Sequence, residues 1–598
     1  MPATASSAAA PPAARLDAST LLWLLVAFSA VTLYPPGDVI ATIRHLRVPD
    51  TDDAMRLVEA RDLAAGQGWF DNVQARFLPP LGIASHWSRL VDAPIAGLIL
   101  LLTPLLGRSL AEGVTLAIWP PLLFGVYGAV LFTGVRRTFG PRAAVLALLA
   151  ATQTFGVTVQ FAAGRIDHHG LQMIAILAMS LCLIRGGRAA GIGAGALAAL
   201  SLAIGLEGLP SVALGALFVV GDWVLRGRVA LPGFLGFGLG LGLAAPILFG
   251  AQTAPGLWSA TACDALSPPW LWLAAGGAAA ALACAGLDRR LGSIPARLAC
   301  VAAIGIVLLG GFAALFPVCL GGPFPGMTPL VRDRWLLAVN EMSSVGKFVA
   351  RGQWEVLVYY PVLALAALAA SWAVLRGMQA HRRAHAVAAL MLWPGLVIGW
   401  FQFRGIYVAS GLIPLVAGPV LDRALGCAAD RAAALRLRAG LAALAFGLVS
   451  TAWMIPAALG GLFQDGGRKA AEQNAFACLA DTAVAPLAAL APGTVLAPIF
   501  MGPAILMLTP HAVVAAPYHR AIPGLTAALE GLGGIEADLR RQVEAHGVRY
   551  LVACLSQPAA DLRGETAFAT RLARGETRAD WLEPLPLDGS VLKVWRVR

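Results

Sequence analysis

Long apolar runs recur along most of the chain and alternate with short polar connections. A helix needs about 20 apolar residues to cross a bilayer, and this spacing predicts about thirteen membrane-spanning helices. The predicted spans are 19–36, 112–135, 142–162, 170–185, 189–206, 208–225, 229–250, 269–287, 298–317, 354–375, 384–402, 405–421 and 439–461. A further apolar run, 91–107, is short and contains two prolines, so we predict an interfacial or re-entrant helix there.

Arginines cluster on alternate connections between the predicted spans. The clusters are Arg136, Arg137 and Arg142; Arg185 and Arg188; Arg226 and Arg228; Arg289, Arg290 and Arg297; Arg376, Arg382 and Arg383; and Arg423, Arg431, Arg436 and Arg438. Positively charged loops face the cytoplasm, and these clusters share one side only if 91–107 does not cross. The pattern predicts a disordered cytoplasmic N-terminus, 1–18, and a membrane domain, 19–461, with large outer loops at 37–111 and 318–353.

The tail, 462–598, has ordinary polarity and predicts a periplasmic α/β domain. The segments "TVLAPIF", "HAVVAAP", "VRYLVACL" and "VLKVWRV" have the character of strands, and "GIEADLRRQVEAHG" that of a helix. Cys478 and Cys554 fall in this tail. They could form a disulfide on an oxidising side of the membrane, or they could be two buried thiols.

The composition agrees with a polytopic all-α membrane domain followed by that smaller domain. Of 598 residues, 58% are hydrophobic and 13% charged, and the mean hydropathy is +0.74. This is more apolar surface than a soluble protein can bury. The net charge of +11 is explained by arginine-rich cytoplasmic loops, so we expect no nucleic-acid partner.

Chemistry-bearing residues gather in the segments predicted to lie outside. Asp50, Asp52 and Asp53 crowd together after the first span, where their mutual repulsion must be relieved by water or by a cation. His86 ends the same loop.

The second outer connection reads "GRIDHHG". In an extended segment Asp167 and His169 would point the same way and could share one ion, while His168 would point away and serve a structural role. A carboxylate and imidazole set suits Mn²⁺, and Mg²⁺ less well. Arg165 could extend its charge to the membrane surface or contact a phosphate.

Two further polar residues are predicted on the same side. Glu341 lies in a short polar patch, and Arg404 begins a predicted span where it could hold a phosphate. Carboxylates, histidines and an arginine that converge at the outer interface predict a metal–pyrophosphate site.

The polar stretches in these outer segments resemble those of the catalytic subunits of oligosaccharyltransferases, which belong to the GT-C class of membrane glycosyltransferases. The resemblance runs from the first helix to about residue 460, and it implies thirteen membrane helices, two Asp motifs, a loop carrying a Glu and a lumenal or periplasmic C-terminal domain. The stretches that carry it are "DTDDAMRL", "GWFDNVQARFLPPLGIASHW", "GRIDHHG", "AVNEMSS" and "FRGIYV".

The resemblance implies a role for single residues. The metal ligands would be Asp50, His86, Asp167 and His169, with Asp52 as the alternative in the first motif. Asp50, Asp52 and Glu341 would be catalytic carboxylates. The residues Arg404, Arg56, Trp87 and Tyr407 would bind substrate. The family's Trp-Trp-Asp motif, which reads the protein acceptor, is absent from the tail, where "PYHRA" offers His519 and Arg520 instead.

These features predict a metal-dependent glycosyltransferase of the bacterial inner membrane, with its active site facing the periplasm. The donor would be a polyprenyl-phosphate- or diphosphate-linked sugar, and the acceptor a glycan, a lipid or a protein. The alternatives are a transporter or flippase of a lipid-linked glycan precursor, and a non-catalytic sugar-binding protein. A transporter would carry ionisable residues at the bilayer midplane, and the nearest such residue here is Glu207.

Overall fold

The computed structural model describes residues 18–377, 381–430, 432–462, 477–554 and 566–598. The predicted disordered segment 1–18 lies outside them except for its last residue. The helices up to residue 461 are α1 (Ala18–Thr32), α2 (Pro36–His45), α3 (Thr51–Ala64), α4 (Arg89–Leu106), α5 (Arg108–Phe139), α6 (Pro141–Gln153), α7 (Phe155–Thr158), α8 (His169–Arg185), α9 (Arg188–Ile204), α10 (Leu209–Arg226), α11 (Leu231–Gln252), α12 (Pro268–Leu287), α13 (Ile294–Leu315), α14 (Pro329–Arg334), α15 (Val345–Ala350), α16 (Tyr360–Leu375), α17 (Arg382–Phe401), α18 (Ile406–Ser410), α19 (Ile413–Ala429), α20 (Leu435–Gly447) and α21 (Met454–Gly461).

The described part of the chain contains 9 helices long and apolar enough to cross a membrane, or up to 12 if each bent pair is one span. The chain is therefore a multi-pass membrane protein, as predicted. Length alone gives fewer spans than the predicted thirteen, because α8 and α9 have only 17 residues each. Helix α4, predicted not to cross, is long enough to do so, and its interfacial placement stays a prediction.

Three predicted spans are bent instead of straight. The breaks follow α6, α18 and α20, with angles of 72°, 56° and 85°. An angle of this size inside an apolar run leaves no trace in hydropathy, which is why the sequence predicted single helices there. The second bend lies in the segment that carries Arg404 and Tyr407, two residues of the site described below.

Glycines bring α9 and α11 close together. A Cβ atom added to Gly195 would lie 2.2 Å from the carbonyl oxygen of Phe237, and one on Gly240 would lie 2.2 Å from that of Ile192. Small residues permit such approaches between apolar helices. This packing fixes the ends of both helices, Gly205 and Gln252, beside the site.

The arginine-rich connections meet at one end of the helix bundle, hereafter the arginine end. Arg383 donates to the carbonyl oxygen of Leu183 at 2.7 Å and pairs with Asp222 at 2.6 Å. Arg228 pairs with Asp288 at 2.6 Å. Connections far apart in sequence therefore share one end of the bundle, as the charge pattern predicted.

The C-terminal region contains a five-stranded sheet of order β4-β3-β5-β7-β6. Its strands are β3 (Thr494–Leu496), β4 (Ala512–Val513), β5 (Val548–Ala553), β6 (Leu582–Leu585) and β7 (Lys593–Val597), and its helices are α22 (Asp481–Val484), α23 (Gly502–Leu508), α24 (Ile522–Gly533), α25 (Glu536–Ala545) and α26 (Phe568–Ala573). Strand β3 runs parallel to β4 and β5, whereas β7 is antiparallel to β5 and β6. The four predicted strands and the predicted helix α25 are confirmed. Edge strand β6 was missed, because it contains Pro584, a residue that sequence patterns do not associate with strands.

The first loop packs against this C-terminal region. A small hairpin, β1 (Val73–Gln74) and β2 (Ile83–Ala84), precedes α4. Next to it the chain pairs with Val513: Val513 donates to the carbonyl oxygen of Arg76 at 2.9 Å, and Leu78 donates to that of Val513 at 2.8 Å. The sheet is thereby continued by a piece of the membrane domain.

Two disulfides lie at the end of the bundle away from the arginines. Cys478 bonds Cys554, which decides the alternative left open by the sequence. Cys263 bonds Cys319 and ties the loop before α12 to the segment after α13. The sequence did not predict this second pair.

Candidate active site

The acidic run after the first span begins helix α3. Asp50 caps the helix, since its Oδ1 accepts the backbone N–H groups of Asp52 at 2.8 Å and Asp53 at 3.2 Å. An aspartate is well suited to this position, where helical N–H groups lack partners. The cap leaves Oδ2 of Asp50 free to face the "GRIDHHG" loop.

Asp53 holds that loop in place. Its side chain is fully buried, and its Oδ1 accepts the N–H groups of Ile166 at 2.7 Å and Asp167 at 2.9 Å. The loop begins at Gly164, whose φ is +82° and where a Cβ atom would lie 2.7 Å from the carbonyl oxygen of Arg47. Only glycine fits this turn without strain.

Arg165 is the cation among these carboxylates. Its guanidinium contacts Asp50, lies 3.3 Å from Oδ2 of Asp53 and pairs with Oδ2 of Asp167 at 2.6 Å. The side chain is 7% exposed. Because Arg165 is buried, it does not extend its charge to the membrane surface, and its contact with a phosphate stays a prediction.

Asp167 and His169 meet as predicted, although the segment is not extended. His168 has helical dihedral angles and His169 is the first residue of α8. Nδ1 of His169 lies 2.7 Å from Oδ2 of Asp167, and its buried Nε2 has no hydrogen-bond partner. His168 does not point away: its ring stacks on His169 with centroids 4.4 Å apart, and its Nε2 lies 3.4 Å from Glu207.

Residues from the third and fourth outer segments complete the cluster. Tyr407 donates to Oε1 of Glu341 at 3.0 Å, and its ring meets that of His169 edge-on at 5.1 Å. Arg404 pairs with Glu207 at 3.0 Å and is 28% exposed. Both arginine and tyrosine come from the bent segment that begins at Phe403, between α17 and α19.

The electrostatics separate two neighbouring carboxyls. Burial raises the pKa of Asp52 well above its usual value, and the charges of Asp50, Glu341 and Asp167 raise it further. Burial also acts to raise the pKa of Asp167, but Arg165 and His169 outweigh it and hold that pKa below its usual range. Asp167 is therefore an anion, whereas Asp52 resists losing its proton.

Two residues assigned to substrate contact lie beneath the site. Arg56 is fully buried, pairs with Asp92 at 2.6 Å and lies 4.3 Å from the ring centroid of Trp87. Trp87 is 6% exposed and packs edge-on against Tyr518. Both side chains are buried against their neighbours, and the predicted contact of either residue with substrate stays a prediction.

His86 lies in a separate cluster with Asp264 and His519, and not among Asp50, Asp167 and His169. The sequence predicted His86 beside Asp50, Asp167 and His169. The position of a residue in a loop does not show which of two neighbouring clusters its side chain joins. The sequence also left Asp53 and Glu207 without a role. An acid inside an apolar run, as in "IGLEGLP", was the one signal that could have identified Glu207.

No protein-family model matches the chain, and no curated protein matches its sequence. Among solved structures, the apo oligosaccharyltransferase of Archaeoglobus fulgidus is similar, with a TM-score of 0.61 and 13% identity over 89% of this chain and 69% of that one. The same archaeal enzyme, AglB, with an inhibitory peptide and a dolichol-phosphate gives 0.59 and 14% over 90% and 70%. The chain has the oligosaccharyltransferase fold.

A third structure of the A. fulgidus oligosaccharyltransferase, in complex with Zn and sulfate, gives a TM-score of 0.56 and 14% identity over 89% of this chain and 68% of that one. The predicted resemblance to GT-C membrane glycosyltransferases is thus confirmed for the fold. At this identity the likeness says nothing by itself about donor or acceptor.

Proposed function

We propose that the protein is a glycosyltransferase that uses a polyprenyl-phosphate- or diphosphate-linked sugar at the periplasmic face of a bacterial inner membrane. The observation that carries the proposal is the grouping of Asp50 with the buried Asp167 and His169, near Arg404, on the fold of an enzyme whose structure includes a dolichol-phosphate. The disulfide Cys478–Cys554 supports an oxidising compartment on this side.

The residues present suit a divalent metal. The Nε2 atom of His169 is buried without a hydrogen-bond partner and offers a ligand atom, whereas Arg165 pairs with Asp50 and Asp167 and would have to move aside for a metal. Asp50, Asp167 and His169 would hold Mn²⁺ or Mg²⁺. When bound, the metal would stabilise the negative charge that develops on the leaving phosphate.

The chain's own residues would perform the remaining steps. Arg404 would exchange its contact with Glu207 for the phosphate of the donor, which it can bind through two N–H groups. Tyr407 orients Glu341, which would accept the proton of the acceptor hydroxyl or amide. Attack opposite the leaving phosphate would invert the anomeric centre. The acceptor would be a glycan, a lipid or a protein.

The test is release of the polyprenyl carrier by the full chain in liposomes. A polyprenyl-phosphate-linked hexose and a polyprenyl-diphosphate-linked oligosaccharide would be supplied in parallel, with and without Mn²⁺. We expect Asp167→Asn to lower the release by roughly 100-fold, because it removes preorganised charge from the reacting centre. The matched control, Asp333→Asn, changes an exposed acid of the third outer segment and should keep full activity.

Two results would contradict the proposal. One is equal carrier release by Asp167→Asn and wild type. The other is movement of the labelled lipid between leaflets without any release, which would identify a flippase.

A further inference from the structure

Three segments far apart in sequence bring His86, Asp264 and His519 together. His86 precedes α4, Asp264 lies between α11 and α12, and His519 belongs to the C-terminal region before α24. One nitrogen or carboxylate oxygen from each lies within 4.8 Å of the others, and this is the one such His, Cys, Asp or Glu group among the described residues. The cluster joins the membrane domain to the C-terminal region.

Some polar atoms of the cluster already have hydrogen-bond partners. Nε2 of His519 lies 2.7 Å from Oδ2 of Asp264, and Arg520 contacts both carboxylate oxygens, at 2.8 and 3.0 Å. The His86 ring lies 4.6 Å from the His519 ring between centroids. Within the described chain neither nitrogen of His86 forms a hydrogen bond, so a ligand atom without a partner lies beside the His519–Asp264 pair.

Neighbouring structure fixes all three side chains. The disulfide Cys263–Cys319 adjoins Asp264, and the ring of Phe324 covers His519 with centroids 4.7 Å apart. Trp87 follows His86 and packs against Tyr518. Such fixed positions reduce the entropy that is lost when a ligand set is ordered around an ion.

We propose that His86, Asp264 and His519 bind a zinc ion that fastens the C-terminal region to the membrane domain. Two imidazoles and one carboxylate form a common three-residue zinc set, which leaves a fourth position for water. The ion would replace the proton shared by His519 and Asp264, while Arg520 keeps its contacts and supports the carboxylate. This site is separate from the Asp50, Asp167 and His169 cluster and does not depend on the proposed reaction.

The test uses the purified full chain carrying Asp167→Asn, so that the first cluster is disabled. We expect this chain to bind one zinc ion by equilibrium dialysis and to give, with Co²⁺, the intense visible absorption of four-coordinate cobalt. Adding His86→Gln or His519→Gln should weaken zinc binding at least about 10-fold. His546→Gln, a histidine of the same region outside the cluster, is the matched control and should bind like the parent.

Thermal unfolding provides a second measurement. Zinc should raise the midpoint temperature of thermal unfolding of the Asp167→Asn chain, because a ligand stabilises the state that binds it. Adding His519→Gln should abolish that rise. The proposal is overturned if the Asp167→Asn chain binds no zinc, or if both cluster variants bind as tightly as His546→Gln. If a cluster variant fails to fold, zinc binding by the Asp167→Asn chain still tests the proposal.

Discussion

Asp53 is an organiser of the candidate site. It lies on the first turn of α3 but determines the path of a loop 113 residues away, through two backbone hydrogen bonds and Arg165. The sequence presents Asp50, Asp52 and Asp53 as equivalent acids. In the fold, Asp50 caps the helix, Asp52 belongs to the acidic cluster and Asp53 anchors the loop. These roles depend on which oxygen contacts which neighbour, and tertiary packing determines those contacts. The motif residues Asp167 and His169 were predictable, whereas Asp53 was not.

We expect Asp53→Asn to lower carrier release by about 10- to 100-fold, as is usual when a residue that supports a ligand set is changed. The amide has one acceptor oxygen in place of two and turns an N–H group toward Arg165. Initial rates with either lipid-linked sugar would measure the loss. Asp62→Asn, on the same helix, is the control, and an unimpaired Asp53→Asn enzyme would show that the loop holds its position without this anchor.

At the scale of elements, the corner between α17 and α18 delivers Arg404 and Tyr407 to the site. The corner is tight because glycines line it: a Cβ atom on Gly405 would lie 2.6 Å from the backbone nitrogen of Gly399. Hydropathy predicted an apolar segment at 405–421 and placed it well. It could predict neither this corner nor the bend of 56° that follows α18, because both arise from close packing between neighbours and not from the apolar content of the segment.

Gly405→Ala should therefore displace the corner and reduce carrier release, with a larger effect on the donor KM than Tyr407→Phe produces. The reason is steric, since the added methyl group must push α18 and with it Arg404 away from α17. Steady-state kinetics over a range of donor concentrations would separate the two effects. Gly426→Ala, where a Cβ atom meets nothing within 4 Å, should behave as wild type. Equal kinetics for both alanine variants would rule out this steric account.

At the scale of the whole molecule, two independent features favour the same orientation of the helix bundle across the membrane. The arginine clusters gather at one end, and both disulfides lie at the other. The free cysteines, Cys182, Cys284, Cys300 and Cys427, are on helices near their arginine ends. Charge pattern and cysteine pairing therefore favour the same orientation, with the arginine end in the reducing compartment, and this orientation stays a prediction. The charge pattern could be predicted from the sequence, whereas the pairing of Cys263 with Cys319 became apparent only in the folded structure.

This orientation predicts the labelling of single cysteines in a chain whose four free cysteines are replaced by alanine. Ala491→Cys, exposed on the C-terminal region, should react with a membrane-impermeant maleimide in intact spheroplasts. Ala189→Cys, exposed at the arginine end, should react only after the membrane is opened. Gel shift of the labelled chain measures both, and the reverse pattern would place the site in the cytoplasm.

The pairing of the first loop with the C-terminal sheet has a consequence for biogenesis. Arg76 donates to the carbonyl oxygen of Thr509, 433 residues away, at 3.0 Å. The loop that carries His86 and the cap of α3 therefore emerges long before its partner has been synthesised. During that interval its backbone groups need water or a chaperone, since contacts of such sequence separation form late. These contacts between the first loop and the sheet form only after the ribosome has passed the codons for Thr509 and Val513.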